Sequence, residues 1–204
     1  MQIQPPRLLT LLGSSLLLGL AACASSGGLG SMPVGIVELY DGAKPDGLME
    51  VELGRDGTVL EMEADVDPAT LPAPIRAAAL ARLPGATITG AEREMHVEGR
   101  FWEVKLLHEG REWEVICNDA GKVVETEQEL RRDEAPAAVI AAADRAIAGG
   151  SFRSVELIEG RSGTAYHVKK LKDGASYKIV LSPEGEVLRK VREQRAEIEI
   201  PLKD

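Results

Sequence analysis

The stretch FWEVKLLHEGREWEVIC, residues 101–117, decides the fold. Apolar and polar residues alternate on both sides of Glu109-Gly110, and a period of two marks strands with one buried face. If Glu109-Gly110 is a two-residue turn, counting outward sets the register: Leu106 opposite Trp113, Val104 opposite Val115, Trp102 opposite Cys117. These six side chains share one face. Phe101, Leu107 and Ile116 then point to the other, with Glu103, Lys105, Glu112 and Glu114 around them. An apolar centre rimmed by charge is the pattern of a partner-binding surface, unless a neighbouring repeat or helix covers it.

The same hairpin returns 64 residues later. A gapless shift of 64 lays Pro72-Ala73 on Pro136-Ala137, Ala77-Ala78-Ala79 on Ala141-Ala142-Ala143 and Gly85 on Gly149. It continues through Val104-Lys105 on Val168-Lys169, Gly110 on Gly174 and Gly121 on Gly185. The second hairpin, turning at Asp173-Gly174, places Val168 opposite Ile179, Tyr166 opposite Leu181 and Tyr177 against Lys170. Each copy begins with a helix: Ile75, Ala79 and Leu83 recur at i, i+4 and i+8, as do Val139, Ala143 and Ile147. Pro72 and Pro136 stand where a first turn tolerates a missing N–H, and Pro84-Gly85 and Gly149-Gly150 stop the helices. A strand near Thr87–Val97 precedes the hairpin. A fourth, starting at Val123 or Val187, loses its alternation, with Glu125 and Arg189 falling on the core face, and is expected to twist away or form an edge.

This is an α+β architecture of tandem repeats, each one helix on an antiparallel three- to four-stranded sheet. The partition is 35–70, a partial first repeat of strands only, then full repeats at 71–134 and 135–204. The run from the helix end Leu83-Pro84-Gly85 through Phe101-Trp102-Glu103-Val104-Lys105 to Asp119-Ala120-Gly121-Lys122-Val123-Val124 resembles the PepSY-like family. These are bacterial envelope proteins related in architecture to beta-lactamase-inhibitory modules. The resemblance implies a module that binds or inhibits other proteins and brings no catalytic residues. Lys170, standing where the first copy has Leu106, departs from the pattern.

The amino-terminal segment reads as an export signal. Arg7 precedes the apolar run Leu8–Leu20, whose 13 residues are short of the roughly 20 that a spanning helix needs. The run ends in Leu20-Ala21-Ala22-Cys23, which resembles the lipobox of bacterial lipoproteins. That resemblance implies cleavage of residues 1–22, lipid attachment at Cys23, a tether at 23–34 and, with Ala24 rather than Asp following, sorting to the outer membrane. Several acyl chains hold a protein stably where one is marginal. The whole chain carries 24 Lys+Arg against 33 Asp+Glu, a charge of −9, and losing Arg7 makes the mature chain −10. No basic stripe is present to grip phosphates, so nucleic acid is excluded as a partner.

Reactive signatures are few. Cys117 is the one thiol left once Cys23 is modified, and its repeat partners Leu53 and Leu181 make it a core position. His96, His108 and His167 have no histidine partners at the 64-residue shift, which reads as three solvated histidines and no metal centre. His108-Glu109 lacks the second histidine of a zincin helix. Glu61, Glu63, Asp65 and Asp67 alternate into a helix start, and a solvated edge face plus a cap is favoured over a weak calcium site. There is no Gly-x-Ser-x-Gly elbow, P-loop or dinucleotide fingerprint. The expected protein is a non-catalytic lipoprotein without cofactor. It is anchored in the outer membrane facing periplasm or cell surface, and it binds another envelope protein through Phe101, Glu103, Lys105, Leu107, Glu114 and Ile116. The alternative is a periplasmic ligand or cation sensor; a hydrolase would need two titratable groups converging in one cleft.

Overall fold

The computed structural model describes Leu39, residues 42–96 and residues 98–194. The signal segment, the lipobox residues Leu20, Ala21 and Ala22, the acceptor Cys23, the tether, and the chain after residue 194 lie outside the described residues. No helix among the described residues is long and apolar enough to cross a membrane.

Among the described residues, ten antiparallel strands form one sheet in chain order: β1 (Met49–Leu53), β2 (Val59–Asp65), β3 (Thr87–His96), β4 (Gly99–His108), β5 (Arg111–Asn118), β6 (Val123–Leu130), β7 (Ser151–Gly160), β8 (Gly163–Lys172), β9 (Ala175–Leu181) and β10 (Val187–Glu193). Helix α1 (Ala73–Arg82) lies between β2 and β3 in sequence, and α2 (Ala137–Ala146) between β6 and β7. Each repeat is therefore one helix followed by four strands. The hairpin β1–β2 sits 64 residues before β5–β6 and is the last half of a preceding unit. That segment is not built of strands alone, because Leu39 and Gly42 are helical and buried Leu39 packs on Met62 and Ala64.

Both hairpin registers stand as counted. Leu106 pairs with Trp113, Val104 with Val115 and Trp102 with Cys117; Val168 pairs with Ile179, Tyr166 with Leu181 and Lys170 with Tyr177. Glu109-Gly110 and Asp173-Gly174 all have positive φ, the type I′ geometry whose twist matches the strands. Helix α1 seals a core of Ile75, Ala79, Val104, Leu106, Val115 and Cys117; α2 seals Val139, Ala143, Val155, Val168, Ile179 and Leu181. Alanines on each helix let its axis approach the sheet closely.

Among the described residues β10 ends the sheet, as expected of a fourth strand, but β6 corrects that reading. β6 is no edge: it pairs with β5 on one side and β7 on the other, joining the repeats into one sheet. The register shift between Ile116 and Cys117 sets Val123 opposite Cys117 but Glu125 opposite Ile116. A bulge inserts one residue and reverses facing beyond it, so Glu125 leaves the helix face. The shift between Val187 and Arg189 does the same for Arg189, opposite Val180. Equivalent shifts at Glu52/Leu53 and at Ile88/Gly90 with Phe152/Ser154 make the bulges part of the repeat.

Candidate functional site

The face opposite the helices carries the unusual chemistry. Every second residue points there: Glu61 and Glu63 from β2; Glu92, Glu94 and His96 from β3; Phe101, Glu103 and Lys105 from β4; Glu114 and Ile116 from β5; Glu125 and Glu127 from β6. The second repeat adds Glu156, His167, Lys169, Lys178 and Arg189. The sheet curls so far that Arg189 of β10 forms an ion pair with Glu52 of β1. Strand twist accumulated over ten strands, with the bulges increasing it, turns this face inward.

Curling buries groups that a flat sheet would leave in water. His96 Nε2 stands 2.8 Å from both Glu61 Oε1 and Glu94 Oε2. Burial alone would discharge His96, but its two carboxylate partners outweigh that and raise its pKa to about 10. Lys105 donates to Glu92 and lies 3.7 Å from Glu103. The equivalent pair in the second repeat, Lys169 and Glu156, is 3.5 Å apart. Burial opposes the charge on both lysines, and the surrounding glutamates more than offset it.

Acid is in excess over base. Burial, then repulsion from Glu61, Glu94, Glu92 and Glu50, pushes Glu63 up to about 9. Burial with Glu114, Glu156 and Glu125 does the same for Glu127, also to about 9. Glu103 is held well above the usual carboxylate range by burial and Glu114, and Glu114 rises to about 7. His167 Nδ1 is 3.8 Å from Glu127 Oε2. This contact is not an ion pair at neutral pH: burial, with Lys178, Lys169 and Arg189 nearby, lowers His167 to about 3, so both partners are neutral.

A cavity of about 160 Å³ opens on this face, lined by Glu61, Glu63, Glu94, His96, Glu98, Phe101, Glu103, Ile116, Val124, Glu125, Glu127, Arg161 and Ser162. A Cβ on Gly160 would stand 2.2 Å from Glu125 Oε2, so the missing side chain makes room for that carboxylate. Two groups of metal-ligand type converge on the face, Glu61–Glu94–His96 and Glu127–Glu156–His167.

Five of the six sequence-selected contact residues meet here. Phe101 and Ile116 are buried, at 8% and 6% exposure, rather than presented to solvent; the curl and the face's own side chains cover them, with the His96 ring edge-on to Phe101 at 5.1 Å. Leu107 is 44% exposed at the margin. Two further readings are corrected. Glu61 and Glu63 lie on an interior strand, half-buried, and Asp67 caps a 3₁₀ turn at Pro68–Thr70 rather than α1. His96 and His167 are packed among carboxylates instead of solvated. Individual residue types gave no hint of this, but the repeat did: Glu92–Lys105 and Glu156–Lys169 are 64 residues apart, a conserved-in-register pair that the chain itself displays. Cys117 is buried among apolar residues, and burial lifts its thiol to about 11.

Residues 74–118, from α1 through β5, match the family model described as "Peptidase propeptide and YPEB domain", PepSY. The first full repeat is thus similar to a PepSY domain over α1 and β3 to β5. No curated protein matches the chain. Among solved structures, a BLIP-like protein from Bacteroides fragilis NCTC 9343 is similar at 22% identity with a TM-score of 0.50, over 66% of this chain and 97% of that one. A DUF2874 family protein from Bacteroides uniformis ATCC 8492 has 22% identity and a TM-score of 0.48, over 60% and 89% of the two chains. A protein from Bacteroides eggerthii DSM 20697, taken to be periplasmic, has 19% identity and a TM-score of 0.49, over 59% and 88%. At these identities the likeness is one of fold. The PepSY unit accounts for α1 and the strands that carry Phe101, Glu103, Lys105, Glu114 and Ile116.

Proposed function

We propose that the protein is a non-catalytic envelope lipoprotein, held by lipid at Cys23 in the outer membrane, whose curled sheet face binds and inhibits or scaffolds another envelope protein. The observation that carries this reading is the face itself. It is left uncovered by the helices, it is charged, and it contains a cavity. The lipobox sequence supports placement in the periplasm or at the surface. The BLIP-like relative supports a protein partner by analogy of fold alone.

The test is crosslinking capture from intact envelopes with wild type, Leu107→Asp and Glu114→Lys, alongside Cys23→Ala. The expected result is one envelope protein captured by wild type and lost in folded face variants, with the cysteine variant released from membranes and no longer labelled by fatty acid. Capture that is indifferent to both face variants would move the partner surface elsewhere. A second reading, a cation sensor, draws on the two carboxylate–histidine groups. A site of that kind must raise the melting temperature with added metal and lose the gain to chelator.

A further inference from the structure

The two full repeats touch across the mouth of the curl as well as through the pairing of β6 with β7. Their first hairpins, β3–β4 and β7–β8, are equivalent, since a shift of 64 lays Gly99 on Gly163. Strand β7 stands three places from β4 in the sheet, a separation of roughly 14 Å if the sheet were flat. The curl closes that distance. Arg161, at the β7–β8 tip, lies 3.2 Å from Glu98 at the β3–β4 tip, and its guanidinium is over the ring of Phe101 on β4, 5.9 Å from the centre. Arg161, Ser162 and Glu98 line the same cavity as Phe101 and Ile116. The tip of the second repeat thus reaches over the apolar pair that the first repeat holds.

This tip combines a weak hold with a free hinge. Its sequence is Gly160-Arg161-Ser162-Gly163, in which Gly160 pairs with Gly163 and Gly163 has φ +106°. Glycine on both sides lets the backbone change direction without the strain a side chain would add. The Arg161 and Glu98 side chains are both more than half exposed, and an ion pair or cation–π contact in water contributes little. Phe101 and Ile116 beneath them are fixed, each with less than a tenth of its surface exposed. A loosely held cationic tip above a packed apolar floor has the build of a strap.

We propose that the β7–β8 tip is a strap over the cavity, latched by Arg161 to Glu98 and Phe101, and that its release opens Phe101 and Ile116 to the partner. The inference rests on the binding role proposed above and adds its control: contact with the partner requires the two repeats to part at the mouth of the curl. It also accounts for two contact residues that the hairpin pattern selects and the closed structure covers.

Thiol labelling of the purified mature protein tests the strap without a partner. Ile116→Cys places a reporter in the cavity, Val124→Cys a second, and the chain without either gives the baseline. Arg161→Ala in each reporter should speed labelling roughly three- to tenfold while the urea transition stays cooperative. Raising salt to about 1 M, which screens the latch, should speed labelling in the parent reporters and leave the Arg161→Ala forms unchanged. Labelling of both reporters that is indifferent to Arg161→Ala and to salt overturns the proposal. A second arm joins Glu98→Cys/Arg161→Cys with a cleavable bis-thiosulfonate linker. Envelope capture should be lost on linking and return with reductant; equal capture by linked and reduced forms refutes the strap and leaves the binding role standing. Gated labelling with no protein captured even by wild type upholds the strap and removes the binding role.

Discussion

Replacing Glu127 with glutamine probes the electrostatic state of the sheet face most directly. The Glu127 side chain is 15% exposed and its carboxyl is raised to about 9, against 4.5 unperturbed. Between those two values the folded protein holds a proton that the unfolded chain has released. Stability contributed by this proton is complete below about pH 4.5 and declines as pH rises toward 9. At about 1.4 kcal/mol per pH unit, the ceiling on the loss at pH 7 is about 3 kcal/mol; water reaching the half-open face brings the expectation to about 1–3 kcal/mol. Glutamine is neutral in both states, so Glu127→Gln should match wild type near pH 4 and exceed it by that amount near neutrality. Urea unfolding across this range reads the difference directly. A variant that is less stable than wild type at neutral pH, with no gain as pH rises, would show Glu127 ionised and bonded to a charged His167, and the electrostatic reading of the face would fall.

The second repeat buries Lys170 at 3% side-chain exposure, its Nζ 2.5 Å from Asp144 Oδ1, in the place Leu106 fills in the first. Lys170→Leu should be neutral or stabilising by about 1–4 kcal/mol in urea unfolding, whereas Asp144→Ala should cost about 2–3 kcal/mol, since a 44% exposed partner only part-shields the buried amine. Gly185 has φ +84°, and a Cβ there would stand 2.6 Å from the Ala138 carbonyl oxygen; Gly110, φ +77°, has open space. Both alanine variants should be destabilised by strain, Gly185→Ala by the larger amount because helix α2 must also shift, as a comparison of their urea midpoints will show. The Cys117 thiol, buried and raised to about 11, should resist a thiol reagent in native buffer and react at once in denaturant; rapid native labelling would place it outside the core.

The parts legible in the chain are those set over short distances. Alternation with a period of two and a turn of two residues determined both hairpin registers, and the stripe Ile75, Ala79, Leu83 determined the buried helix face. The 64-residue shift added certainty, because two independent segments demanded the same pairing. Phe101, Glu103, Lys105, Glu114 and Ile116 were selectable for the same reason: they occupy the alternate positions of one hairpin.

The remainder of the face depended on groups that sequence keeps apart. Glu61, Glu94 and His96 come from two strands separated by helix α1, and Glu127, Glu156 and His167 from three strands across the repeat boundary. A bulge at Ile116/Cys117 turned Glu125 from the core face to the acidic one, a one-residue change that reverses every side chain after it. Sequence by itself determined the repeat, its helix and the hairpin registers, because turns and amphipathic periods are local. Only the tertiary structure decided that β6 joins the repeats, that the sheet curls until Arg189 meets Glu52, and that this curl buries more acid than base. Twist adds up over ten strands, and burial, which turns ordinary surface glutamates into a cavity lined by raised carboxyl groups, exists only once those strands are assembled.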